Sequence, residues 1–463
     1  MAGLTENIAR FIESSSWSAM PPAALDKAKK VIADTFAVIL AGAGSEVAPP
    51  LNDYVAQCGE RGDCAILGTA LKASPEIAAL VNGTFGHALD YDDVLSMMPA
   101  HPSAVIIAAC LARPPGTRLG GRALLEAYVV GIEVGARIGE AITVGHYNRG
   151  FHGTGTLGIF CALAARASLD RLDVATTRTA FGIGSSMASG VRRNFGTMVK
   201  PLHTGWAARS ALAAVALARC GFTAAPDALE AKAGFFAAYG VAESDPQGAA
   251  ARLGSPWVIV DPGIALKRFP CCYASHRGMD AVLRLRSELN FDADGVKRVI
   301  CRMPPGGMRV LTYPRPVTGL EAKFSLEYSL AAGVLDGGYT LASFEDAAVN
   351  RREAQALLEK IECVEEARCA GGDALLETRS SGSRGFVEVE VELTDGRKQA
   401  LKVERAPGHP ERELSWDDLH RKFLDCAAHA GLHRPKAQRA FEHLTALEHC
   451  DDIDAIVTAL VKT

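Results

Sequence analysis

The chain has 463 residues, 48% of them hydrophobic, with 45 glycines and a formal charge of −4 from 49 Lys+Arg against 53 Asp+Glu. That length and apolar content suffice to bury a substantial core spread over more than one domain. The slight acidity excludes the broad positive field that nucleic acid or an anionic membrane surface requires, while leaving room for a local cationic pocket and a small anionic ligand.

The opening "MAGLTENIARFIES" lacks the apolar run of a secretory signal and reads as an amphipathic helix, so a cytoplasmic protein is expected. Twelve cysteines scattered from Cys58 to Cys450 are then expected as small core residues under reducing conditions. No CxxC occurs, and adjacent Cys271-Cys272 has no metal-pair spacing. "PAALDKAKKVIADTFAVILAG" repeats apolar residues three and four apart and predicts a helix ending near Gly42. Similar alanine-rich helices are predicted at about 75–90, 102–112, 121–142, 155–168, 172–189, 204–219 and 226–238. Gly, Glu or Arg interrupts each apolar window before about 20 residues accumulate, so these are expected to be buried helices rather than membrane spans. With almost no strand-like alternation up to about residue 260, the pattern is that of an all-helical bundle.

The character changes near "SPWVIVDPGIALKRFPCCY". A helix from His276 is followed by "GVKRVICRM", which alternates as a strand, and by "EAKFSLEYSLAAGVL", which reads as helix. "GFVEVEVELTDGRKQALKVE" predicts a hairpin turning at Asp395-Gly396, and the remainder is helical again. The expected organisation is therefore mainly α and two-domain. An all-helical domain is built from residues 1–265 and 405–463, and a smaller α+β domain of residues 266–404 is inserted between its two parts. The cleft between such bodies favours a small-molecule site.

Titratable residues gather beside the predicted helix ends. "NGTFGHALDYDDV" carries His87, Asp90, Asp92 and Asp93, with Asp90 one helical turn beyond His87 if that helix continues. His101 stands before the helix of "HPSAVIIAACLA", His152 before that of "FHGTGTLG", Lys200 and His203 before that of "VKPLHTGWAA", and His276 at the start of another. Converging helix N-termini with basic side chains make a carboxylate cage that needs no metal. The rival reading for each is ordinary: a core histidine bonded to Asp90 or a carbonyl, a solvated lysine, aspartates that cap the next element. Three close aspartates can attract Mg²⁺, but neither a calcium-loop pattern nor HExxH is present. "GTGTLG" lacks the dinucleotide-binding spacing and "GIGSSMASG" lacks the hydrolase nucleophile elbow.

In order and spacing, "GHALDYDD", "HPS", "FHGTGTLG", "VKPLHTGWAA" and "KRFPCCYASH" resemble the MmgE/PrpD family across the whole chain. That family includes 2-methylcitrate dehydratase, cis-aconitate decarboxylase and iminodisuccinate epimerase. The resemblance implies a large helical domain from both chain ends, a smaller α+β lid domain, a homodimer, no cofactor or metal, and a small di- or tricarboxylate substrate. Carried over by motif, it places Asp90, His101, His152, Lys200 and His276 in the pocket and implies the lid residue Tyr328 beside the substrate; Asp90, His101, His152 and Lys200 are expected to be catalytic, and His87, Lys267, His276 and Tyr328 to bind substrate. Decarboxylase relatives tend to carry Thr directly after the aspartate motif, where this chain has Val94, and their segment from Asp90 to His101 is one residue shorter. "FPCCYASH" also departs from the dehydratase pattern. These departures direct the expectation to proton abstraction α to a carboxylate and to an iminodisuccinate epimerase. A 2-methylcitrate dehydratase-like hydro-lyase and a cis-aconitate decarboxylase-like lyase are the alternatives.

Overall fold

The computed structural model describes residues 3–59, 62–113, 116–373, 376 and 380–462. Two hydrophobic cores organise them. The larger draws on residues from Leu4 to Leu266 and again from Leu414 to Leu460, and the smaller on residues from Phe269 to Val403. Seven of the twelve cysteines are buried. Among the described residues no single helix is long and apolar enough to cross a membrane; only the bent pair Pro22–Ala43 and Ala48–Cys58 passes by length and composition.

The helices that carry the site are α1 (Pro22–Ala43), α2 (Pro75–His87), α3 (Pro102–Leu111), α4 (Gly121–Asn148), α5 (Gly158–Leu169), α6 (Val199–Arg219), α7 (His276–Leu289), α8 (Leu326–Asp336) and α9 (Trp416–His429). Proline in the first turn of α1, α2 and α3 fits a position whose N–H has no intrahelical partner. Every residue of α3 except Leu111 is buried, which explains an apolar run with little amphipathic pattern. The element centred on 172–189 is shorter, Val174–Ser185, because the Asp173 side chain caps it by accepting from Thr176 N–H at 2.7 Å.

Further boundaries differ from the sequence expectation. Helix α4 runs on to Asn148 but breaks at Thr143, whose φ of 65° is left-handed. Helix α6 begins at Val199, not near 204, and so takes Lys200 into its own first turn. The helix expected at 226–238 is mostly turn, and only Phe235–Tyr239 is helical, because Gly234 is extended and interrupts the run.

In the smaller body a four-stranded sheet has the order β2–β1–β3–β4, with β1 at Val296–Met303, β2 at Ile361–Glu365, β3 at Val387–Leu393 and β4 at Lys398–Val403. Strand β1 pairs parallel to β2 and antiparallel to β3, and β3 and β4 form the expected hairpin. Val387, Val389, Val391 and Leu393 all face the core, the period-two pattern of a half-buried strand.

The crossing of α2 and α6 brings His87 and Lys200 together. Small residues set that distance: a side chain on Gly205 would place its Cβ 1.9 Å from the Leu80 carbonyl oxygen and 2.4 Å from Thr84 Oγ1. Gly205→Ala is therefore expected to destabilise the protein by about 3 kcal/mol, read as a lower midpoint in urea unfolding; an unchanged midpoint contradicts the close crossing.

Candidate active site

At the end of α2 the chain turns back on itself. Asp90 has a φ of 49°, a left-handed conformation that aspartate tolerates better than most residues, and its N–H meets the His87 carbonyl at 3.1 Å. Asp90 is therefore not on a continued helical face beside His87, as its spacing suggested. The turn buries Asp90, Asp92 and Asp93, and it is Asp92 whose Oδ2 lies 2.8 Å from His87 Nδ1.

Two ammonium groups converge on Asp90. Lys200 Nζ, from α6, is 3.0 Å from Asp90 Oδ1 and 2.7 Å from His87 Nε2. Lys267 Nζ is 2.6 Å from the same carboxylate oxygen and 2.8 Å from the Asp90 carbonyl oxygen. An ammonium only donates, so His87 Nε2 accepts from Lys200 and its Nδ1–H donates to Asp92. Burial opposes ionisation of Asp90, but Lys200 and Lys267 together hold its carboxyl well below the usual range. Burial and the like charge of Lys267 lower the Lys200 ammonium, whereas Asp90 and Asp92 overcome burial to raise that of Lys267. Phe195 and Phe324 lie with their ring centres each 5.2 Å from Lys200 Nζ.

His101, the residue that precedes α3, completes the group. Its Nδ1 is 2.6 Å from the Asp93 carbonyl oxygen, which can only accept, so Nδ1 carries hydrogen and Nε2 keeps its lone pair. Nε2 lies 3.9 Å from Asp90 Oδ1. The His101 side chain is 16% exposed, against 4% for Lys200 and none for His87, Asp92 or Lys267, so the cluster opens at His101. Burial first, then the charge of Lys267, pushes the His101 imidazole well down. His152 is also held well down, by burial and then by Lys200. Its Nδ1 is 2.9 Å from His203 Nδ1, its ring centre is 5.8 Å from that of His87, and its buried Nε2 has no hydrogen-bond partner among the described residues.

The structure thus brings together His87, Asp90, His101, His152, Lys200 and Lys267, and adds Asp92, Phe195 and Phe324. It does not gather two other residues into the hydrogen-bonded group. Tyr328 lies in the smaller core, where its hydroxyl donates to the Ser343 carbonyl at 2.6 Å; the cap at Ser325 fixes the phase of α8 and turns the ring inward. His276 is fully buried between Phe269 and Tyr273, with Nε2 3.3 Å from the Cys271 carbonyl, and burial followed by Lys267 pushes its imidazole down to about 3. Lys200 also differs from the free carboxylate grip expected of it, because Asp90 and His87 already hold it.

Ligating atoms of His87, Asp90, Asp92 and His101 all lie within 4.8 Å of one another, the composition of a divalent-cation site. Lys200 and Lys267 already supply its cations, and a metal ion on Asp90 Oδ1 would face two ammonium groups at contact distance. A cleft of about 890 Å³ lies beside the cluster rather than within it. It is lined by Val94, Ser96 and Met97 of the segment that joins Asp93 to His101, and on the other side by Ser383 and Gly385. Ser383 Oγ bridges the two sides by donating to Ser96 Oγ at 2.7 Å.

Residues 6–246 match the MmgE/PrpD N-terminal domain and residues 269–447 the MmgE/PrpD C-terminal domain. The cis-aconitate decarboxylase of Homo sapiens is 28% identical over 99% of this chain and 95% of its own length, and that of Mus musculus is 28% identical over 100% and 94%. The cis-aconitate decarboxylase of Aspergillus terreus is 26% identical over 91% of this chain and 88% of its own.

Asp93 yields a stability prediction. Ser103 Oγ, itself 2.7 Å from the Tyr128 hydroxyl, lies 2.6 Å from Asp93 Oδ2. Burial, then the neighbouring Asp92 charge, pushes the Asp93 carboxyl up to about 8. The folded protein therefore keeps a proton that the unfolded chain releases above about pH 4, and this group's contribution to stability falls by about 1.4 kcal/mol per pH unit until the folded carboxyl ionises. Asp93→Asn should flatten the decline in urea midpoint between about pH 5 and 8; parallel wild-type and variant profiles would contradict the assignment.

Proposed function

Because the chain belongs to the MmgE/PrpD family, we propose that it is a lyase acting on a small polycarboxylate, with cis-aconitate decarboxylation the reaction its relatives favour. The observation that carries the reading is the fixed His101 tautomer, which leaves an unprotonated Nε2, able to take up and return a proton, at the cluster's opening beside a carboxylate loaded with two ammonium groups. Lys200 spends two donors, on Asp90 and His87, and Lys267 spends two on Asp90. Each ammonium has three, so Lys200 keeps one N–H for a substrate carboxylate, while Lys267, wholly buried with Asp92 Oδ1 3.7 Å away, acts through Asp90.

In cis-aconitate the bond to the carboxylate on the methylene carbon breaks and CO₂ leaves. The released electron pair forms a new double bond to the central carbon. The old double-bond pair shifts to the vinylic carbon, spreads into that carbon's carboxylate and is captured by a proton. The product is itaconate, and one proton is consumed per turnover. Lys200 and Lys267 stabilise the spreading charge in a dry site, and His101 Nε2–H supplies the proton. The imidazole is neutral in the empty site, but a polyanion beside it favours the charged form, so substrate loads its own proton donor.

One observation favours a second reading. A neutral His101 with its lone pair outward is ready to abstract a proton α to a carboxylate, which starts the elimination of a 2-methylcitrate dehydratase-like hydro-lyase. The epimerase expectation has less support. The named relatives break a carbon–carbon bond, and iminodisuccinate gives way to a lyase substrate.

A panel of cis-aconitate, 2-methylcitrate and iminodisuccinate followed by NMR in D₂O separates these reactions. The expected result is CO₂ release from cis-aconitate, with one deuterium on the methylene carbon that bears the product's carboxylate; intact cis-aconitate with folded enzyme would sink the decarboxylase reading. His101→Ala should lower kcat by about 10²–10⁴ with a smaller effect on KM, and Lys200→Ala should weaken binding as well as turnover. Near-wild-type kinetics in both would contradict the roles. Binding of propane-1,2,3-tricarboxylate, which has no double bond to react, should take up protons and tighten as pH falls from about 8 to 6. Titration calorimetry in buffers of different ionisation enthalpy measures this, and zero uptake would refute substrate-loaded His101.

A further inference from the structure

Lys422 belongs to α9, near the far end of the chain, yet its ammonium sits directly behind the candidate active site. Helix α9 is fixed at its start by a capping box between Ser415 and Asp418 and buries Leu419, Lys422, Phe423, Cys426 and Ala427 on one face. Lys422 Nζ donates to the Tyr91 carbonyl at 2.8 Å and to the Lys267 carbonyl at 3.0 Å. It lies 2.7 Å from Asp34 Oδ1 of α1 and 3.7 Å from the centre of the Tyr91 ring. Tyr91 is the peptide between Asp90 and Asp92, and Lys267 is the residue whose side chain grips Asp90. A closed circuit results, from Lys422 through the Tyr91 peptide to Asp90, across to Lys267 Nζ, and back through the Lys267 backbone to Lys422.

We propose that Lys422, held by Asp34, is a positioning residue that sets the separation of the 90–92 turn from Lys267 and so the geometry of the shared Asp90 carboxylate. The inference rests on the lyase reading only for its kinetic test. Two features separate this role from generic core stability. The two carbonyls it joins are those of Lys267 itself and of Tyr91, the residue next to Asp90, and among the described residues no other side chain hydrogen-bonds to either oxygen. A displacement of about 1 Å between reacting groups is enough to cost about 100-fold in rate. Burial pushes the Asp34 carboxyl up, so when Lys422 is removed Asp34 can take a proton instead of remaining a bare buried charge.

The test compares Lys422→Met, Lys422→Arg and Asp34→Asn in the full chain. In Lys422→Met, kcat for cis-aconitate should fall about 100-fold while KM changes by less than about threefold, and Lys422→Arg, which restores donors to both carbonyls, should recover about a tenth of wild-type kcat or more. A crystal structure of Lys422→Met should show Lys267 Nζ beyond hydrogen-bond reach of Asp90 Oδ1, more than about 3.5 Å away. Wild-type kcat in Lys422→Met, or a Lys267–Asp90 contact unchanged from 2.6 Å, would overturn the proposal. Should Lys422→Met not fold, Asp34→Asn keeps the partner's shape without its charge and should lower kcat severalfold with the same split; an unchanged kcat there overturns it equally. If wild-type protein leaves cis-aconitate intact, the lyase reading fails while the crystallographic distance still decides the role of Lys422.

Discussion

One carboxylate oxygen, Asp90 Oδ1, holds two buried ammonium groups that come from positions 200 and 267. Burying a lysine costs several kcal/mol unless a counter-charge and hydrogen bonds compensate it. Neither Lys200 nor Lys267 could remain charged at its depth without that oxygen. Much of the local structure serves the contact. The left-handed turn at Asp90 aims the carboxylate, the glycine-lined crossing of α2 and α6 lets Lys200 reach it, and the segment after Ala265 delivers Lys267 from the junction of the two cores. His87 and Asp92 extend the chain of donors and acceptors, so the group is satisfied as a network rather than as isolated pairs.

The residues most legible in the sequence were those whose chemistry contradicts their neighbourhood. His87 and the three aspartates stand between apolar helices, and His101 precedes a run in which nearly every residue is buried. Polar groups in such places must be paired, so their convergence follows from burial alone. The helical first part and the β3–β4 hairpin were legible for a similar reason, because periods of 3.6 and 2 survive in the text. Strand β2 was not: five residues at a sheet edge, with alternating burial too weak to separate them from the preceding helix.

What escaped sequence reasoning depended on phase and on distant partners. Asp90 shares a helical face with His87 only if the helix continues past it, but the helix stops at His87 and Asp92 takes its imidazole. Tyr328 carries the right functional group, yet the cap at Ser325 sets the helical phase that commits its hydroxyl to Ser343. Phe195 and Phe324 look like ordinary core aromatics in the text, and only the fold places both around one ammonium. Asp34 and Lys422 are separated by most of the chain, and each alone resembles a helix-surface charge.

The charge balance of the empty site bears on how it works. Asp90 and Asp92 match Lys200 and Lys267, while burial keeps His87, His101 and His152 neutral or nearly so. A pair of unmatched lysines would attract a polyanion more strongly, but that attraction would act on the bound substrate and the transition state alike and so would not speed the chemical step. With Asp90 in place the two ammonium groups are held in fixed positions with their charge balanced, which is the state in which they would meet the negative charge that the proposed lyase reaction develops. Donors fixed in a low-dielectric pocket need no reorganisation as that charge arrives, which is the condition under which electrostatic stabilisation contributes most. The same neutrality leaves the imidazoles as the groups able to respond to an incoming polyanion, and under the lyase proposal recognition and protonation would be one event at His101, the most exposed member of the central cluster.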